Sequence, residues 1–78
     1  MSEVPRYVQV ARVVEHEIRT GVWVTGFVVP SQVQLAQRFG VARTTAAKAQ
    51  KILIDRRLVT AVPGVGLVVT KRGQWPAE

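Results

Sequence analysis

The chain has 78 residues, 47% of them hydrophobic, with eleven Lys and Arg against five Asp and Glu for a formal charge of +6. That is one small domain with enough apolar content to fold, and no room for a catalytic domain beside a binding domain. The absence of cysteine and the single His16 exclude a disulfide scaffold, a zinc ribbon, a cysteine nucleophile and a His-His metal pair, so the core alone must supply stability.

The first residues, MSEVPRYV, carry no basic start and no apolar signal core, which points to the cytoplasm. The first helix is expected over about 5–20. Tyr7, Val10, Ala11, Val14 and Ile18 recur at helical spacing on one face, while Gln9, Arg12, His16 and Arg19 fall on the other. Pro5 suits a helix start and Gly21 a stop. Glu15 and Arg19 stand four apart in the favourable order.

VWVTGFVV, residues 22–29, is too β-branched and too short for a helix. It reads as a loop with a short strand near 27–29. A second helix is expected over 31–39, with Ser31 as N-cap, Gln34 completing the Gln form of a capping box, and Gly40 as the stop. After a turn over Gly40 to Ala42, a third helix is expected over 42–57. Its wheel places Thr45, Ala46, Ala49, Ile52, Leu53 and Arg56 toward the core, and Arg43, Thr44, Ala47, Lys48 and Lys51 outward.

LVTAV and LVVT flank PGVG, so a hairpin is expected over 58–70. The tail KRGQWPAE, residues 71–78, is polar and turn-rich and reads as flexible. The fold class is therefore α+β: a winged helix-turn-helix, three helices and a two-stranded wing, in a single domain over 1–78.

A helix, a three-residue turn with Gly and a second helix form the signature of a DNA-binding helix-turn-helix. The second helix enters the major groove by its N-terminal residues. Here Arg43 is able to donate two hydrogen bonds to guanine, Thr44 and Thr45 to reach phosphate or a thymine methyl, and Ala47 to permit close approach. Lys48 and Lys51 lie one and two turns on, where phosphates would pass. Ser31 and Gln32, at a helix N-terminus, suit a phosphate held by backbone N–H groups. Ser31 is equally explained as a cap, and Thr45 is divided between phosphate and core. Gly64 and Gly66 suit a wing tip lying close to DNA, or simply a turn.

From Tyr7 to Val69 the chain resembles the DNA-binding domain of the GntR family of bacterial transcription regulators. Tyr7, Val10, Val14, Ile18 and Gly21 fit the first helix. Gly26, then Val29, Pro30 and Ser31, fit the family's Gly-x-x-Leu-Pro-Ser. Leu35 and Ala36 fit its Leu-Ala pair, Gly40 to Thr45 its Gly-Val-Ser-Arg-Thr-Thr turn, and Gly64 and Gly66 its Gly-x-Gly wing. The resemblance implies a sequence-specific regulator of the repressor type. Members usually add a C-terminal domain that binds an effector and dimerises; this chain ends at Glu78, just past the wing, and reads as either a fragment or a single-domain protein.

There are departures from the family pattern. An acidic residue and then Arg usually follow Pro-Ser, where this chain has Gln32 and Val33. A basic position in the recognition helix is Ala47, with Lys48 next to it. Ala42 replaces the N-cap Ser, Arg57 the Gly before the wing, and the wing tip VPGVG carries no charge. Arg43 stands out as the first candidate for base contact.

The expected partner is double-stranded DNA, with a homodimer on a palindromic site as a way to raise affinity. No cofactor, metal, membrane or effector pocket is expected. Val8, Val13 and Ile54 are outward-facing apolar positions that suit a partner surface. The alternative reading is a protein-interaction module that kept the fold and lost DNA recognition. An enzyme fails on inventory: Glu15 and Glu17 point about 200° apart on their helix and cannot share a site.

Overall fold

The structure, a computed structural model, describes residues 3–77. It contains α1 (Arg6–Arg19), α2 (Gln32–Phe39), α3 (Arg43–Asp55), β1 (Val59–Val62), β2 (Gly66–Val69) and a short 3-10 turn, Arg72–Gln74. The element order is that of a winged helix-turn-helix.

The apolar stripe of α1 is buried as the spacing predicts, through Val10, Ala11, Val14 and Ile18. From α2 come Leu35 and Ala36, and from α3 Ala46, Ala49, Gln50 and Leu53. Leu58, Val59 and Val69 of the hairpin and Val29 before α2 close the main core over Val14, Ile18, Leu35, Ala46 and Leu53. Pro5 stands one position before α1, where its carbonyl accepts from the N–H groups of Val8 and Gln9.

Each helix stops by the same device. In each, an N–H just past the helix returns to the carbonyl five residues back: Val22 to Glu17, Val41 to Ala36, and Leu58 to Leu53. This closure needs a left-handed residue at the exit. Gly21 and Gly40 supply it with positive φ, but at the end of α3 the residue is Arg57, at φ 62°. That geometry is why α3 ends at Asp55 rather than running to residue 57. A side chain in this conformation costs about 1 kcal/mol relative to Gly. Arg57→Gly is therefore expected to raise the free energy of unfolding by roughly that amount, read as a higher urea midpoint at unchanged slope.

The hairpin pairs Val59 with Val69 and Val62 with Gly66. Its tip closes by a Val65 N–H to Val62 carbonyl bond, with Pro63 and Gly64 (φ 76°) at the centre. Pro followed by a left-handed Gly is the sequence a type II turn requires. Where a short strand was expected near 27–29 there is a single bridge, not a strand: Val28 bridges Val68, and Gly26 and Val29 donate to Val69 and Leu67.

Two carboxylates on α1 tie the helices together. Glu15 accepts from Arg19 (2.8 Å) and, across the groove, from Arg56 of the α3 exit (2.8 and 3.0 Å). Glu17 accepts from both terminal nitrogens of Arg38 on α2 and from the Trp23 indole (3.1 Å). Arg56 is therefore not a core residue, as its wheel position suggested. Its stem leaves the core and its charge reaches Glu15.

Burial pushes the Glu15 carboxyl up, but the hydrogen bonds and charges of Arg56 and Arg19 outweigh it and hold the group below its ordinary 4.5. Glu17 is likewise held down, chiefly by Arg38, against burial, with the Trp23 indole helping. A carboxyl depressed in the fold stabilises fully above its ordinary value and loses that contribution as pH falls through the folded value. The urea midpoint should thus be flat near neutrality and drop as pH falls below about 5, and the Glu15→Gln, Glu17→Gln double variant should show a smaller drop.

The segment after the wing is not free. The Trp75 indole donates to the carbonyl and hydroxyl of Thr70 (3.2 and 3.0 Å), and Arg72 and Arg19 lie over its ring. Arg19 also donates to the Pro76 carbonyl (2.7 Å) and Arg72 to that of Arg19 (3.2 Å). The tail expected to be flexible thus makes contacts with the domain through Arg72, Trp75 and Pro76. Its one large aromatic gains two cations and two acceptors by docking, which offsets the entropy of ordering it. Glu78 lies outside the described residues.

Candidate nucleic-acid interface

The turn between α2 and α3 sets the aim of α3. Gly40 is left-handed at φ 64°, and Ala42 caps α3 with no side-chain hydrogen bond, a loss of about 1 kcal/mol against Ser. The first turn of α3 presents Arg43 and Thr44 to solvent, and Thr45 and Ala47 are half-buried. Among the described residues Arg43 has no hydrogen-bond, ion-pair or ring partner, so its five donors are uncommitted.

The two lysines are less free than their wheel positions imply. Lys48 places its ammonium over the Tyr7 ring, 5.6 Å from the centroid. Lys51 pairs with Asp55 at 3.1 Å, but both side chains are well exposed, at 75% and 62%, so the pair is weak and easily exchanged for a phosphate.

At the start of α2 the capping box is complete. The Ser31 hydroxyl accepts from the Gln34 N–H (3.2 Å), and the Gln34 side chain accepts from the Ser31 N–H (2.9 Å). Ser31 is thus a cap whatever else it does. Gln32 is exposed beside it. The wing brings Gly66 against this helix start: Ser31, Gln32, Val33, Val65 and Gly66 line one open groove of about 540 Å³. Gly64 stands exposed at the wing tip. The helix start and the wing are therefore assembled into one surface, and Arg43 and Thr44 stand at the head of the neighbouring helix.

Two positioning residues escaped the reading of the sequence. Gln50 is buried, and its amide donates to the Pro30 carbonyl (3.0 Å), fixing α3 against the residue before the α2 cap. Its signal was present, since it shares helical spacing with Ala46 and Leu53, but an amide there looks like a surface residue. Arg6 donates to the Phe39 carbonyl (2.8 Å) and so satisfies the end of α2 beside the turn. Nothing local announces that contact, because its two partners are thirty-three residues apart.

The comparisons with known proteins agree with this architecture. The model of the bacterial regulatory proteins, gntR family, matches residues 6–69. The chain is 34% identical over 71 residues to the Histidine utilization repressor of Klebsiella aerogenes, covering 90% of this chain and 30% of that protein. It is 36% identical over 62 residues to the HTH-type transcriptional regulator GgaR of Escherichia coli (strain K12), covering 80% and 25%. The chain thus spans less than a third of the length of these curated relatives.

Among solved structures, the AraR DNA-binding domain in complex with operator ORR3 superposes with a TM-score of 0.81 at 32% identity, over 88% of this chain and 83% of that one. A transcriptional regulator from Oenococcus oeni gives a TM-score of 0.84 at 26% identity, over 92% and 60%. By fold, by the ordered motifs from Tyr7 to Val69 and by the family match, the chain belongs to the gntR family of bacterial regulatory proteins.

Proposed function

We propose that this domain binds double-stranded DNA sequence-specifically, with the N-terminal half of α3 in the major groove, as the DNA-reading part of a transcription repressor acting in the cytoplasm. The observation that carries the reading is the uncommitted Arg43 at the head of α3, next to a helix start and a wing held rigidly at its side. A planar five-donor fork without an internal partner is suited to guanine O6 and N7. Thr44 and Ala47 line the same approach, Thr45 is shared with the core, and Ser31, Gln32, Lys48 and Lys51 serve the phosphates. Gly64 and Gly66 let the wing backbone lie close to the duplex. The operator complex of the AraR domain and the repressor name of the Klebsiella relative support the reading.

One winged helix buries a modest interface, so two copies on a palindrome are proposed, with half-sites about one helical turn apart. Val13 and Ile54, exposed at 41% and 40%, are two of the exposed apolar positions open to contact between copies, whereas Val8, expected beside them, is half-buried.

The test is a fluorescence-anisotropy titration of the DNA upstream of the protein's own gene against scrambled DNA of equal length, at two salt concentrations. Preference that survives the higher salt, at two copies per duplex, is the expected result. Weak binding to both, lost together with salt, would favour the protein-interaction module, for which Val33 (42% exposed) and the uncharged wing speak. Lys51→Ala is expected to weaken all sequences alike and to flatten the plot of log affinity against log salt by about one.

A further inference from the structure

The wing is an uncharged prong. From Ala61 to Val69 the sequence AVPGVGLVV has no side chain that can donate or accept a hydrogen bond. Val62 and Val65 are exposed at the tip, at 36% and 57%. The prong is stiff. The Val62 carbonyl is already taken by Val65, the Val28–Val68 bridge braces β2, and a Cβ at Gly66 (φ 129°) would stand 3.2 Å from Val28 Cγ1. Its apolar surface runs on into Val28 and Val33, along the groove shared with the start of α2.

We propose that this prong selects base pairs in the minor groove by rejecting the 2-amino group of guanine. The proposal rests on the DNA-binding reading above. With α3 in the major groove, a hairpin beside it crosses one phosphate strand and meets the adjacent minor groove. All base pairs present the same acceptors there, and only guanine adds a donor, its 2-amino group. A polar or acidic wing can accept from that group. Valine cannot, and its methyl groups displace the water that would. The prong leaves the donor unpaired and buried, so A·T pairs are preferred under it.

The experiment uses the DNA segment that the protein protects from cleavage. 2,6-Diaminopurine replaces adenine in the base pairs flanking the major-groove contact. This substitution adds a 2-amino group in the minor groove and leaves the major-groove edge unchanged. Inosine for guanine makes the reverse change. Diaminopurine is expected to weaken binding by about fivefold to a hundredfold, and inosine to leave it equal or tighter. Val65→Asn, which puts an acceptor at the exposed tip, should abolish the diaminopurine penalty without loss of fold.

Specific binding that is indifferent to diaminopurine, or a penalty that persists unchanged in Val65→Asn, would overturn the selection mechanism while leaving DNA recognition standing. A protein that protects no segment above scrambled DNA would overturn both.

Discussion

Replacing Arg43 with alanine is expected to weaken binding to the preferred segment by roughly 1–3 kcal/mol, about fivefold to more than a hundredfold, with a much smaller loss on scrambled DNA. The magnitude follows from the lost bidentate contact, and the asymmetry follows from its geometry. A phosphate contact weakens every sequence equally, whereas a base contact is felt only where the base is present. Arg43→Lys separates the two. It keeps the charge and loses the planar fork, so it should restore the scrambled-DNA affinity and leave the preferred segment weak. Equal losses on both DNAs for the alanine variant would place Arg43 on a phosphate. Folding should not change, because the side chain is exposed and has no partner among the described residues.

Leu53→Ala is expected to cost about 2–5 kcal/mol of stability. Leu53 is fully buried and belongs to the cluster that joins α1, α2, α3 and the hairpin. A domain of this size, with no disulfide, has only a few kcal/mol in total, so a substantial unfolded fraction is expected even in buffer. Urea denaturation followed by circular dichroism measures the loss. The apparent affinity should fall by the folded fraction alone, equally for preferred and scrambled DNA, unlike Arg43→Ala. Leu53→Met, which conserves volume, should cost under about 1.5 kcal/mol. A small effect in the alanine variant would mean that the core collapses around the site rather than leaving a cavity.

The elements were legible where the signal is local. The helical spacing from Tyr7 to Ile18, the Ser31–Gln34 box, Gly40 and the Pro63–Gly64 turn each sit within a few residues of what they cause. The extended backbone at Val28 was visible from its β-branched run, but that run pairs with Val68, forty residues on, only as a single bridge. What was not legible depends on where the finished helices lie. Arg56 looks apolar-facing on a wheel, because the wheel cannot show Glu15 across the groove. Arg6 and Gln50 each find a backbone carbonyl from a distant part of the chain. The uncommitted Arg43 was read correctly as outward-facing, but its freedom became visible only once Lys48 and Lys51 had found Tyr7 and Asp55.

Glu15 and Glu17 have a consequence for how this domain is controlled. They leave α1 on opposite flanks, one gripping the exit of α3 and the other gripping α2. The first helix can neither roll nor slide by a turn without releasing one of them. The helix-turn-helix is therefore braced from behind at two points, which resists a change of its internal angle. A partner that acts on such a domain without breaking either grip moves it as a rigid body. Amide exchange within the three helices should then be the same in the switched and unswitched states, and a difference there would show that the clamp opens.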